Sequence, residues 1–159
     1  MFLQVWSQKR LVRCLDIAAY LLANHKHSAD KDSSVAPLFA SLSDTLIVPS
    51  IQQSSSIVME AGLRCLLLYC SMDETRALRN LPIVWSVVSK AHVSRPRRLA
   101  IMGLFDWVMQ FPTLLSKCDE EGDAPVSATT LLKTLAGVLQ VRDVHVIMRT
   151  GDLRYCVSR

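Results

Sequence analysis

The chain has 159 residues, of which 50% are hydrophobic and 20% are charged, and its formal net charge is +4. That length suffices for one domain with a substantial core, and the composition is globular, which excludes a disordered or low-complexity protein. The mild positive charge permits an acidic partner without requiring one, and no apolar run approaches the roughly 20 residues that cross a bilayer, so we expect no membrane partner.

The first predicted element is an N-terminal helix over residues 1–24. Its apolar residues recur at the spacing that places them on one packing face of a helix. These residues are Leu11, Leu15, Ala18, Leu21 and Leu22. Basic side chains outnumber acidic ones in the same segment, and a basic, amphipathic start is also typical of a mitochondrial targeting segment. Cleavage of residues 1–25 is therefore kept as an alternative.

Helical periodicity continues along the rest of the chain, with almost no strict alternation of apolar and polar residues. Proline is favoured in the first turn of a helix, so we expect Pro82 to separate two helices and Pro96 to begin another. Polar breaks over 25–34 and 116–123 predict surface loops. The predicted helices lie near 2–24, 36–52, 56–71, 74–79, 81–91, 95–111, 127–140 and 143–156.

Two of these helices are related by an offset of about 39 residues, which aligns Ala61 with Ala100. Helix-pair repeats of the HEAT and armadillo type have about 40–47 residues. Each repeat hides its apolar helix by stacking on its neighbours, so the alignment predicts buried side chains at Cys65, Leu66 and Phe105. Gly62 and Gly103 lie inside the aligned helices and indicate a close approach between helices, since glycine otherwise destabilises a helix.

The predicted fold class is therefore all-α, an α-solenoid of stacked HEAT-like helix pairs. Residues 36–156 would hold about two full repeats and a truncated third, after the N-terminal helix. Such a stack is expected to expose apolar surface at both ends, where further protein could pack. A compact helical bundle is the alternative.

No residue pattern indicates catalysis or a bound cofactor. Cys14, Cys65 and Cys70 fall in apolar helical pattern, where a free cysteine behaves as a small hydrophobic residue. Cys65 and Cys70 belong to a helix that we expect to be buried, and a buried thiol is inert. The close histidine pair, His25 and His27, has no cysteine pair to complete a zinc site. The glycines are scattered and form neither a Walker loop nor a GxGxxG motif. We therefore expect no enzyme, no catalytic residue, no metal, no cofactor and no small-molecule substrate.

A basic cluster lies at the junction between two predicted helices. Its members are Lys90, His92, Arg95, Arg97 and Arg98, and Arg76 and Arg79 precede it by about one helix. Basic side chains neutralise DNA phosphates and give salt-dependent, sequence-independent affinity, so the cluster is the predicted nucleic-acid binding site. Stacking on single strands is disfavoured because aromatic residues are not interleaved with it. The alternative is a solvated turn in which Arg98 faces Asp106.

Several short motifs are spaced as in a known repeat family. The first is Leu46-Ile47-x-Pro49-x-Ile51, and the second is Glu60-x-Gly62-Leu63-x-Cys65-Leu66-x-Leu68-Tyr69-Cys70. They are followed by Asp73, Ala77, Leu81 and Pro82, and then by Ala100, Leu104, Phe105 and Asp106. Over roughly residues 38–112 the chain resembles the C-terminal HEAT-repeat region of the condensin subunit 3 family, the G-type non-SMC subunits.

This resemblance implies a non-catalytic scaffold that binds the kleisin subunit of a ring whose SMC ATPases hydrolyse ATP, with double-stranded DNA as a further candidate partner. It also implies a role in mitotic chromosome condensation, and a location in the nucleus and on chromosomes with a cytoplasmic pool. Two alternatives are kept. One is a HEAT or armadillo adaptor of a transport or other complex, and the other is a mitochondrial helical protein with a cleaved N-terminus.

Overall fold

The structure is a computed structural model that describes residues 2–25, 36–89, 94–120 and 126–140. Within these ranges it is helical and contains no strand, which confirms the all-α class and is consistent with an α-solenoid. The elements are α1 (Phe2–His25), α2 (Ala36–Leu42), a π-helical segment (Ser43–Ile47), α3 (Val48–Ile51), α4 (Ser56–Cys70), α5 (Glu74–Ser89), α6 (Ser94–Gln110), α7 (Leu114–Glu120) and α8 (Ala128–Gln140). The chain divides into two compact units, Met1–Gly103 and Leu104–Arg159. The helix predicted over 143–156 lies outside the described residues.

The predicted helix over 36–52 is confirmed as one helical run, but it contains a π-helical segment. The backbone N–H of Val48 donates to the carbonyl of Ser43, five residues back, which is the π pattern. Pro49 follows at once. Because proline has no N–H and its ring crowds the carbonyl four residues earlier, the wider turn accommodates it without ending the helix.

The predicted split at Pro82 is wrong, since α5 is one helix with this proline inside it. Pro82 lies on the exposed side of α5, between buried Leu81 and buried Val84. Its ring is exposed to solvent there and does not disturb the buried face of the helix, although an internal proline still removes one backbone hydrogen bond. Asp73 caps the start of α5, where its Oδ1 accepts a hydrogen bond from the N–H of Thr75 at 3.2 Å.

The core of the first unit lies mainly between α1 and α4, which pack against each other. Fully or almost fully buried side chains from the two helices meet here; they are Leu15, Ala18, Leu22, Val58, Leu63, Cys65 and Leu66. Each leucine buried in this way contributes about 1.5–3 kcal/mol relative to an exposed one. The thiol of Cys65 also donates a hydrogen bond to the carbonyl of Leu15 at 3.1 Å. Removal of residues 1–25 would therefore strip one side of this core.

The expected burial of Cys65 and Leu66 is confirmed, whereas Phe105 is only partly buried. The side of α6 that is hidden carries Ala100 and Leu104. Ala100 and Leu104 are one helical turn apart and lie on the same face. Phe105 is turned about 100° from Leu104, so it falls at the edge of the hidden face.

Gly62 and Gly103 stand where helices approach closely, as predicted. A Cβ atom at Gly62 would lie 3.0 Å from the Cβ of Ser50 and 3.3 Å from the carbonyl oxygen of Ile47. A Cβ atom at Gly103 would collide with the side chain of Leu67. In both cases the missing methyl group permits the contact, which offsets the poor helix propensity of glycine.

The second unit contains a helix that the sequence analysis missed. Residues 116–123 were predicted to be a surface loop, but α7 extends through Leu114–Glu120. It packs against α8, and Leu114 and Leu131 are fully buried. Burial of Leu114 stabilises a helix that is too short and too polar to be recognised by its periodicity alone.

Ser127 caps the N-terminus of α8, and its loss is expected to lower the free energy of unfolding of this unit by about 1 kcal/mol. Its Oγ accepts a hydrogen bond from the N–H of Thr130 at 3.3 Å and is 2.9 Å from the Oγ1 of Thr130. Urea titration of Ser127→Ala would measure the loss. Ser127→Asp should retain most of the stability because aspartate also caps well, and an unchanged midpoint for Ser127→Ala would contradict the assignment.

Candidate nucleic-acid interface

The three arginines of the predicted basic cluster come together in the first turn of α6. Arg95, Arg97 and Arg98 follow the helix start at Ser94. Pro96 lies between them and is buried, and its fixed φ favours the start of a helix as predicted. Lys90 and His92, the other two members, lie outside the described residues.

The charge at this turn is not balanced locally. The first turn of α6 contains no acidic residue, and among the described residues no carboxylate forms an ion pair with Arg95, Arg97 or Arg98. The N-terminal end of a helix also carries a partial positive charge. Arg95 and Arg98 are exposed, so two guanidinium groups reach solvent in a positive field, which is the arrangement that attracts phosphate groups.

Arg97 differs from its neighbours. Its side chain is half-buried, and its Nε is buried and lacks a hydrogen-bond partner within the described structure. A buried donor without a partner costs about 1–3 kcal/mol, so packing of the side-chain stem must hold this group in place. Arg95 and Arg98 are therefore more open to solvent than Arg97.

Arg76 is engaged within the fold rather than available to a partner. Its guanidinium lies 4.7 Å from the ring centroid of Tyr69, and its Nε lies 3.8 Å from the Oδ2 of Asp73. Its backbone carbonyl accepts hydrogen bonds from the Nδ2 of Asn80 at 2.9 Å and from the thiol of Cys70 at 3.5 Å. The turn between α4 and α5 is thus stabilised around Arg76, a role that its position in the sequence did not reveal.

The three cysteines whose side chains the structure describes occupy two environments. Burial raises the pKa of the Cys65 thiol to about 12 and that of the Cys70 thiol to about 12, so both remain protonated and unreactive near neutral pH. The predicted burial of these two thiols is confirmed. Cys14, which the sequence also places in an apolar helical pattern, is exposed.

The described part of the chain also bears on metal binding and on membrane insertion. No group of three or more potential metal ligands occurs there. In those same ranges, every helix is either too short or too polar to cross a membrane. Of the predicted histidine pair, His25 ends α1, and His27 lies outside the described residues. The basic first turn of α6 therefore remains the main candidate site.

The chain is similar to a known protein family and to a curated protein. Residues 13–152 match the family described as nuclear condensing complex subunits, C-terminal domain. Over 88 residues, the chain is 32% identical to condensin complex subunit 3 of Saccharomyces cerevisiae. The aligned region covers 55% of this chain and 8% of the yeast protein, so the chain spans less than a tenth of the length of that relative. No solved structure matches the chain.

Proposed function

This chain belongs to the family of the nuclear condensing complex subunits, and on that premise we propose that it is a non-catalytic scaffold segment of a condensin complex, acting in mitotic chromosome condensation. The match over residues 13–152 carries the proposal. The stacked helices support it, because such stacks present long surfaces to other proteins and do not by themselves assemble catalytic groups. The implied location is the nucleus and the chromosomes, with a cytoplasmic pool.

The proposed protein partners are the kleisin subunit and the SMC ATPases of condensin. Purification of the tagged protein from mitotic cells, followed by mass spectrometry, tests this assignment. We expect a kleisin and SMC subunits in the purified material. Recovery with transport cargo or ribosomes in their place would favour the adaptor alternative, and a fluorescent fusion found inside mitochondria would favour the targeting alternative.

Double-stranded DNA is the third proposed partner, and the first turn of α6 is the proposed contact. Exposure of Arg95 and Arg98 without an ion pair to a described residue supports this role. Contacts of this kind recognise the phosphate backbone and carry no base information. Binding should therefore depend on salt and be nearly independent of sequence.

The Arg95→Glu/Arg98→Glu variant is expected to bind duplex DNA more weakly, because two phosphate contacts are lost and two repulsive charges are introduced. The slope of log K against log salt concentration should become shallower by about 2, since each phosphate contact contributes about 0.9. Fluorescence anisotropy with two unrelated duplexes, at several salt concentrations, measures both quantities.

A matched control carries the same change of charge elsewhere. Lys9 and Lys133 are exposed lysines in α1 and α8, so Lys9→Glu/Lys133→Glu alters net charge equally without touching α6. If both double variants lose affinity to the same extent, net charge and not the α6 turn is responsible. If the α6 variant keeps full affinity with an unchanged circular dichroism spectrum, the turn does not contact DNA.

A further inference from the structure

We draw no further inference here: the strongest candidate, the exposed apolar patch that Ile17, Tyr20 and Leu21 form on the outer face of α1, carries nothing because exposed side chains of both charges, Arg13 and Asp16, lie beside it and nothing in the structure shows what covers it.

Discussion

The Gly103→Val variant is expected to lose about 3 kcal/mol of unfolding free energy, at the upper end of the range for overpacking a buried site. A Cβ atom at Gly103 would lie 2.6 Å from the Cδ1 and 2.8 Å from the Cγ of Leu67, and still closer to its Cδ2. Leu67 is itself buried in α4, so its side chain has little room to move away. Either its rotamer becomes strained or α4 and α6 separate locally.

Gly103→Ala should show a smaller loss, because a gain of about 1 kcal/mol in helix propensity offsets part of the collision. Urea titration followed by far-ultraviolet circular dichroism measures all of these variants. Gly137 is the matched control, since a Cβ atom there would meet nothing within 4 Å, so Gly137→Ala should be neutral or stabilising.

A double-mutant cycle tests the mechanism itself. In the Leu67→Ala background the colliding atoms of Leu67 are gone. Gly103→Ala should therefore lower the free energy of unfolding less in that background than in the wild type. We expect a coupling energy on the order of 1 kcal/mol. Strictly additive losses, or an equal loss at Gly137, would show that the contact with Leu67 is not the cause.

The sequence predicted those parts of the fold that depend on strong helical periodicity. α1, α4 and α6 were placed within about two residues, the usual precision of such boundaries, and the burial of Cys65 and Leu66 followed from the apolar run around them. The errors had two causes. Pro82 is as compatible with the exposed side of a long helix as with the start of a new one. At α7, tertiary burial of Leu114 stabilises a helix whose local sequence is polar.

The sequence predicted that the arginines of the basic cluster follow a helix start, but it did not predict how their side chains differ. The cluster of arginines beside Pro96 was visible in the sequence. That Arg97 turns its Nε inward and that Arg76 lies against Tyr69 depends on packing between side chains, which periodicity does not describe. One residue of α1 was assigned wrongly for a related reason. Leu21 was assigned to the packing face, whereas the structure places it 51% exposed beside Ile17.

The second large effect concerns alkaline pH. Burial holds the pKa of Cys65 and of Cys70 at about 12, against an ordinary value of 9.0. As the pH rises, both thiols therefore lose their protons in the unfolded chain first. This ionisation lowers the free energy of the unfolded state but not that of the folded state. Stability should be constant below pH 9 with respect to these groups and should fall from about pH 9 towards pH 12. At pH 10.5 the loss amounts to about 2 kcal/mol for each thiol, at about 1.4 kcal/mol per pH unit.

Urea titrations at intervals between pH 8 and pH 11 would measure this slope. Cys65→Ala/Cys70→Ala should be less stable than the wild type near neutral pH, because two buried sulfur atoms are lost from the core. Its stability should nevertheless decline less steeply above pH 9, since these two thiols no longer titrate. Cys14→Ala is the control, because Cys14 is exposed and its removal should leave the slope unchanged. Parallel pH profiles for the wild type and the Cys65→Ala/Cys70→Ala variant would mean that the buried thiols between α1, α4 and α5 do not govern alkaline unfolding.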